Sequence, residues 1–190
     1  MISSFVKHLS SRTELDGSND SLNAVSEATE TLTKEFFTAI QEQDTETVRR
    51  LLVDHKTDLT RARFKPEPQS VRFPAEIERD AYTLLGAYLG PLTGLQFSIL
   101  TGRDGIAKDI LDSTFEQDVD ARFGSGNTAL HLAVLLGAST MVLALIERGA
   151  ETTLRNKRGY SVVVMVLADE DMSDNPDILR LLESTGKEDK

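Results

Sequence analysis

The chain has no cysteine among its 190 residues. That absence removes disulfides, zinc–thiolate sites, iron–sulfur clusters and thiol nucleophiles from consideration. Long apolar runs are missing too. The longest, Val162 to Ala168, falls far short of the ~20 residues that span a bilayer. Met1-Ile2-Ser3-Ser4 leads into a polar stretch rather than an apolar signal segment. Ile2 also excludes an N-myristoylated glycine, and a cytoplasmic or nuclear location is the expectation. Positive charge is scarce, with 21 Lys+Arg against 31 Asp+Glu and a net charge of -10. General nucleic-acid binding needs a basic footprint that displaces counterions from phosphates, so this balance argues against it.

Chemistry-bearing constellations are equally sparse. The only histidines are His8, His55 and His131, and no Ser-His-Asp or paired-carboxylate arrangement can be built around them. Asp118 and Asp120 lack a calcium loop, because Arg122 and Phe123 stand at the third ligand and glycine positions. Gly124-Ser125-Gly126 lacks the Gly-Lys-Ser/Thr that completes a phosphate loop. The expectation is a chain with no catalytic residues, no metal, no cofactor and no small-molecule substrate.

An apolar fraction of 39% fits a thin, elongated core. Residues 1–25 are polar and serine-rich, with too little apolar surface to offset ordering entropy, and are expected to be mobile. Residues 26–184 are expected to form the folded domain and 185–190 a flexible tail.

Within that domain the informative pattern is a repeat. Its clearest unit is Gly126-Asn127-Thr128-Ala129-Leu130-His131-Leu132-Ala133, followed by Gly137, Val142, Leu145-Ile146 and Gly149-Ala150. Thr128 is placed to cap a helix, and Leu130, Ala133 and Val134 share one face of it. Gly137 permits the left-handed turn that ends it. Met141, Val142, Leu145 and Ile146 form the stripe of a second, antiparallel helix, which Gly149 closes. Two such short helices cannot bury their faces alone, so neighbours must stack on them. The unit resembles the ankyrin consensus G-x-T-P-L-H-x-A, with Ala129 in place of the proline.

Related units flank it. Gly94 to Gly102 aligns with the first helix, and Ile106, Ile110 and Leu111 continue the second. Asp118-Val119-Asp120-Ala121-Arg122 resembles the family's step into the next repeat. The offset from Ser98 to Ala133 exceeds the ~33-residue family period by about two. Upstream, Phe36 to Ile40 with Val48, Leu51 and Leu52 fits a first repeat in which Gln43 replaces the usual glycine. Downstream, Gly159 to Val166 with Ile178, Leu181 and Leu182 fits a last repeat that reads as a cap.

The resemblance implies an all-α ankyrin-repeat solenoid of about four helix-turn-helix repeats, with degenerate first and last units. Between repeats one and two lies an insertion at about 62–90, holding Pro66, Pro68 and Pro74 and then a helical pattern from Ala75 to about Leu89. Within it, Ser70-Val71-Arg72-Phe73 resembles a V-x-F docking motif for a protein phosphatase, although Gln69 and Ser70 stand where a basic residue is wanted.

The resemblance further implies a non-catalytic interaction module, an adaptor or scaffold, that holds a partner protein with its hairpin tips and concave face. His131 would be the family's structural histidine. The tips carry basic residues: Arg61, Arg63 and Lys65 beside Phe64, then Arg122 beside Phe123, then Arg155, Lys157 and Arg158. These predict a partner-binding row for an acidic or phosphorylated peptide, with Phe123 as an exposed apolar contact. Two other roles fit the family. One is an acidic escort for a basic client such as a ribosomal protein, using Asp169–Asp177. The other is a regulatory or targeting subunit of an enzyme such as a phosphatase or ubiquitin ligase.

Overall fold

A computed structural model describes residues 16–67, 73, 75, 77–86, 88–113, 115, 117–168 and 176–185; at 16–26, 168, 176–177 and 183–185 it describes the backbone alone. Two units are distinguished, residues 1–35 and 36–190. Helix α1 (Asp16–Glu42) begins in the first unit, where Lys34 pairs with Glu30 one turn earlier at 2.8 Å. Phe36, Phe37, Ala39 and Ile40 of the same helix are buried in the second unit.

The second unit is built from short helices in pairs. The elements are α2 (Thr45–Arg61), β1 (Arg63–Phe64), a short turn α3 (Glu78–Asp80) running into a π-helical turn (Ala81–Leu85), and β2 (Leu92–Thr93). They are followed by α4 (Gly94–Leu100), α5 (Asp104–Ser113), α6 (Ala129–Leu135), α7 (Ser139–Glu147), α8 (Val162–Ala168) and α9 (Pro176–Thr185). Helices α4, α6 and α8 pack in one row and α2, α5, α7 and α9 in another, and each later pair also meets across the rows. The structure is therefore mostly helical. Among the described residues two strands form one antiparallel ladder, Arg63 opposite Thr93 and Phe64 opposite Leu92, which brings together the two ends of the insertion.

Capping residues fix where these helices start and stop. The Asp44 side chain accepts from the Thr47 amide at 3.0 Å, and the Thr47 hydroxyl together with that amide holds the carboxyl below its ordinary pKa. Thr93 and Gln96 form a reciprocal box at the start of α4, with Gln96 Oε1 accepting from the Thr93 amide at 3.0 Å. At the start of α6, His131 Nδ1 accepts from the Thr128 amide at 3.2 Å. The turns between paired helices use the left-handed backbone: Gly102 at φ 68°, Gly137 at φ 65° and, in the corresponding place of the first pair, Gln43 at φ 62°. Gln43 thus adopts the conformation of the glycine it replaces.

His55 lies at a kink in α2, with φ −132°, where two helical segments meet. The insertion departs from expectation. Its helical part runs from Glu78 to Leu85, not from Ala75 to Leu89. Gly86 at φ 90° stops it, and the last carbonyls find partners outside the segment. Asn127 Nδ2 donates to the Leu85 carbonyl at 2.9 Å, Asn156 Nδ2 to that of Leu84 at 2.8 Å and Arg158 Nε to that of Thr83 at 2.7 Å. With those acceptors satisfied by side chains from distant turns, no further helical turn is required. Asn156 also donates to Asn127 Oδ1 at 2.8 Å, and both asparagines are buried. The insertion is accordingly a strap bound to the turns that precede α6 and α8. Val71 and Arg72 of the V-x-F motif, and the acidic stretch 169–175, lie outside the described residues.

Candidate protein-interaction surface

The turn before α6 is a tight hairpin in which the Phe123 amide donates to the Asn127 carbonyl at 2.9 Å and the Gly126 and Asn127 amides return to the Phe123 carbonyl. This closure turns Phe123 inward, where it is only 3% exposed. The expectation that Phe123 is an exposed contact is corrected by this geometry: the ring fills the space behind the hairpin. Phe64 is half-buried and stacks on Phe37 with ring centroids 4.9 Å apart, and Phe97 completes the cluster. Its role there is packing as well.

The cations fare differently. Arg63 Nη1 donates to the Arg122 carbonyl at 2.9 Å. Arg122 Nη1 in turn donates to the Arg155 carbonyl at 3.0 Å and to that of Gly126 at 2.8 Å. Arg155 Nη1 then donates to the Gly159 carbonyl at 2.8 Å. Each arginine is therefore pinned to a backbone oxygen of its own or the next turn, and the three form a chain from β1 to the turn before α8. Lys157 joins the row through its backbone amide, which donates to Ser125 at 2.8 Å, while its side chain is exposed. Arg158 spends one N–H on the strap. Arg61 sits apart from this chain, exposed in the last turn of α2, where its charge favours the helix C-terminus.

Among the described residues none of Arg63, Arg122, Arg155, Lys157 and Arg158 is in a salt bridge. Guanidinium groups that give one or two N–H to carbonyls keep the others, together with the full charge. A row of like charges held side by side is relieved by an anion, and holding the side chains beforehand lowers the entropy lost on binding.

The aromatic residue exposed at this surface is Tyr88, which sequence reasoning missed. It is 58% exposed, and Lys65 Nζ lies 6.0 Å from its ring centre. The strap backbone at Tyr88 and Leu89 passes so close to Gly124 that a Cβ there would run into both carbonyl oxygens. Glycine at 124 is what lets the strap seat against the hairpin.

Behind the tips, His131 is fully buried. Its Nδ1 faces the Thr128 amide, so the proton sits on Nε2 and is donated to the Tyr160 carbonyl at 3.1 Å. Gln96 does the same work one pair earlier, donating from Nε2 to the Ala121 carbonyl at 2.6 Å. A capping side chain that also ties each helix to the next turn, repeated in successive helix pairs, is a repeat architecture. Residues 111–164 match the family described as ankyrin repeats (many copies). The stretch 111–164 is an ankyrin-repeat segment. No curated protein matches the chain.

Ankyrin repeats generally mediate protein–protein contacts and are typically non-catalytic. The matched stretch includes both turns that carry Arg122 and Arg155–Arg158. Among the described residues no helix is long and apolar enough to cross a membrane, and no three His, Asp or Glu are grouped to hold a metal ion.

Proposed function

We propose that this chain is an ankyrin-repeat adaptor or scaffold subunit that holds an acidic or phosphorylated segment of another protein across Arg63, Arg122, Arg155, Lys157 and Arg158. The observation that carries the reading is the pinned arginine chain: three guanidinium groups anchored by carbonyls, with no acidic side chain of the described residues paired to them. Tyr88 takes the place of Phe123 as the apolar contact, and the strap contributes to the surface. In layout we read four repeats: the end of α1 with α2, α4 with α5, α6 with α7, and α8 with α9, the strap being inserted between the first and second.

Charge on an exposed row chiefly sets orientation and association rate, with each solvent-exposed pair worth about 0.2–1 kcal/mol. Reversing Arg155 and Lys157 to glutamate is therefore expected to weaken partner capture on the order of tenfold or more. Affinity purification of wild-type and reversed chains, read by quantitative mass spectrometry, tests this. Partners retained equally by both chains would refute it.

A further inference from the structure

On a different part of the fold, where α5 ends and the chain crosses toward the next hairpin, lies a cleft of about 290 Å³. Its floor is apolar, formed by Leu111, Val119 and Gly149. Phe115 stands at its edge, 91% exposed, which is the largest exposure of any large apolar side chain among the described residues. A phenylalanine this far in water gains apolar burial from a partner that covers it. The ring is not loose. The Arg148 guanidinium carbon lies 4.4 Å from its centre, and Arg148 is itself held by Asp112 at 3.4 Å with its side chain only 15% exposed. One ring face is thus fixed against a cation and the other is presented to solvent.

A second observation points to a ligand. Gln117 lines the cleft, and its Oε1 is buried with no hydrogen-bond donor among the described residues. A buried amide oxygen without a donor is unfavourable, and a partner's N–H would relieve it. The rim is acidic. Asp112 is 61% exposed at its side chain and Glu147 of the lining is exposed, whereas Arg148 is already engaged by Asp112 and Phe115.

We propose that this cleft is a second docking surface, taking an apolar side chain of a partner protein that is flanked by basic residues. The apolar side chain enters over Leu111 and Val119 and packs on Phe115. The basic residues meet Asp112 and Glu147, and the Gln117 side chain turns outward so that its Oε1 accepts a main-chain or side-chain N–H of the partner. Chemically this is the opposite of the tip row, so the chain has the means to bridge two unlike partners. The cleft does not depend on the tip assignment.

The test titrates the isotope-labelled full chain with the capped peptide acetyl-Arg-Leu-Arg-amide and, separately, with acetyl-Glu-Leu-Glu-amide, following amide NMR signals. The basic peptide is expected to shift the Gln117 side-chain amide and Gly149, with affinity at least tenfold above the acidic one. Phe115→Ala should weaken it at least tenfold while α6 signals stay in place, and Arg122→Glu should leave it unchanged. Equal response to both peptides, no movement at Gln117, or full binding by Phe115→Ala would overturn the proposal. So would cleft signals that move with the chain's own concentration, since a second copy would then be the occupant.

Discussion

His131 carries two hydrogen bonds that require its neutral form, one accepted at Nδ1 and one donated from Nε2. Burial holds its pKa below the ordinary imidazole value. The unfolded chain therefore binds the proton first as pH falls. This contribution to stability is complete above the ordinary value of about 6.5 and declines as pH drops below it toward the folded value. Gln96 shows that glutamine can fill the same place, so His131→Gln should keep both ties and lose the titration. Melting curves from about pH 8 to about pH 5 are expected to show a steeper fall in Tm for the wild type than for the variant. Parallel curves would contradict this. The left-handed turns give a second residue-scale prediction. Gly137 has open space where a Cβ would stand, so Gly137→Ala should cost about 1 kcal/mol from backbone strain alone. Gln43→Gly should reduce strain at φ 62°, and denaturant unfolding should place the two variants on opposite sides of the wild type.

Among the elements, the strap is the one held least by its own sequence. The π-helical turn ends in carbonyls satisfied by residues 42, 72 and 75 positions away. Removing one donor leaves a buried acceptor unpaired, which costs roughly 1–3 kcal/mol. Asn127→Ala also takes a partner from Asn156, so a loss at the upper end of that range is expected, with faster amide exchange at Gly86 and little change at Leu132 in α6. Lys157→Ala, exposed and bonded only through its backbone amide, should be near neutral.

The same dependence explains what could be read in advance. Helices α4 to α7 were legible because caps, apolar stripes and left-handed turns recur at a fixed offset: Thr93 with Thr128, Gln96 with His131, Gly102 with Gly137. The strap's short helix was not, because its end is set by Asn127, Asn156 and Arg158 and only partly by Gly86. Of the site, the arginines were visible as charge at turns, but their carbonyl anchors were not. Phe123 was misread because an aromatic residue beside a turn looks the same in sequence whether it faces outward or fills the space behind the hairpin. Tyr88 had no template to align with.

At the scale of the whole molecule the charge is divided. The chain carries -10 overall, yet the pinned row from Arg63 to Arg158 is cationic and without acidic partners among the described residues. Asp109 and Asp112 of α5 are paired instead, Arg49 with Asp109 at 2.9 Å and Arg148 with Asp112 at 3.4 Å. An anionic segment is therefore drawn to one side and repelled elsewhere, which selects orientation before any close contact forms. Such attraction between exposed charges is screened within about 8 Å at physiological ionic strength. The most direct measurement is fluorescence anisotropy with a labelled, doubly phosphorylated serine-glycine peptide, titrated with wild-type chain and with Arg122→Glu/Arg155→Glu at low and raised salt. The account predicts saturable binding by the wild type that weakens with salt, with the reversed chain at least tenfold weaker at low salt. Equal affinity for the two chains, or binding indifferent to salt, would contradict it.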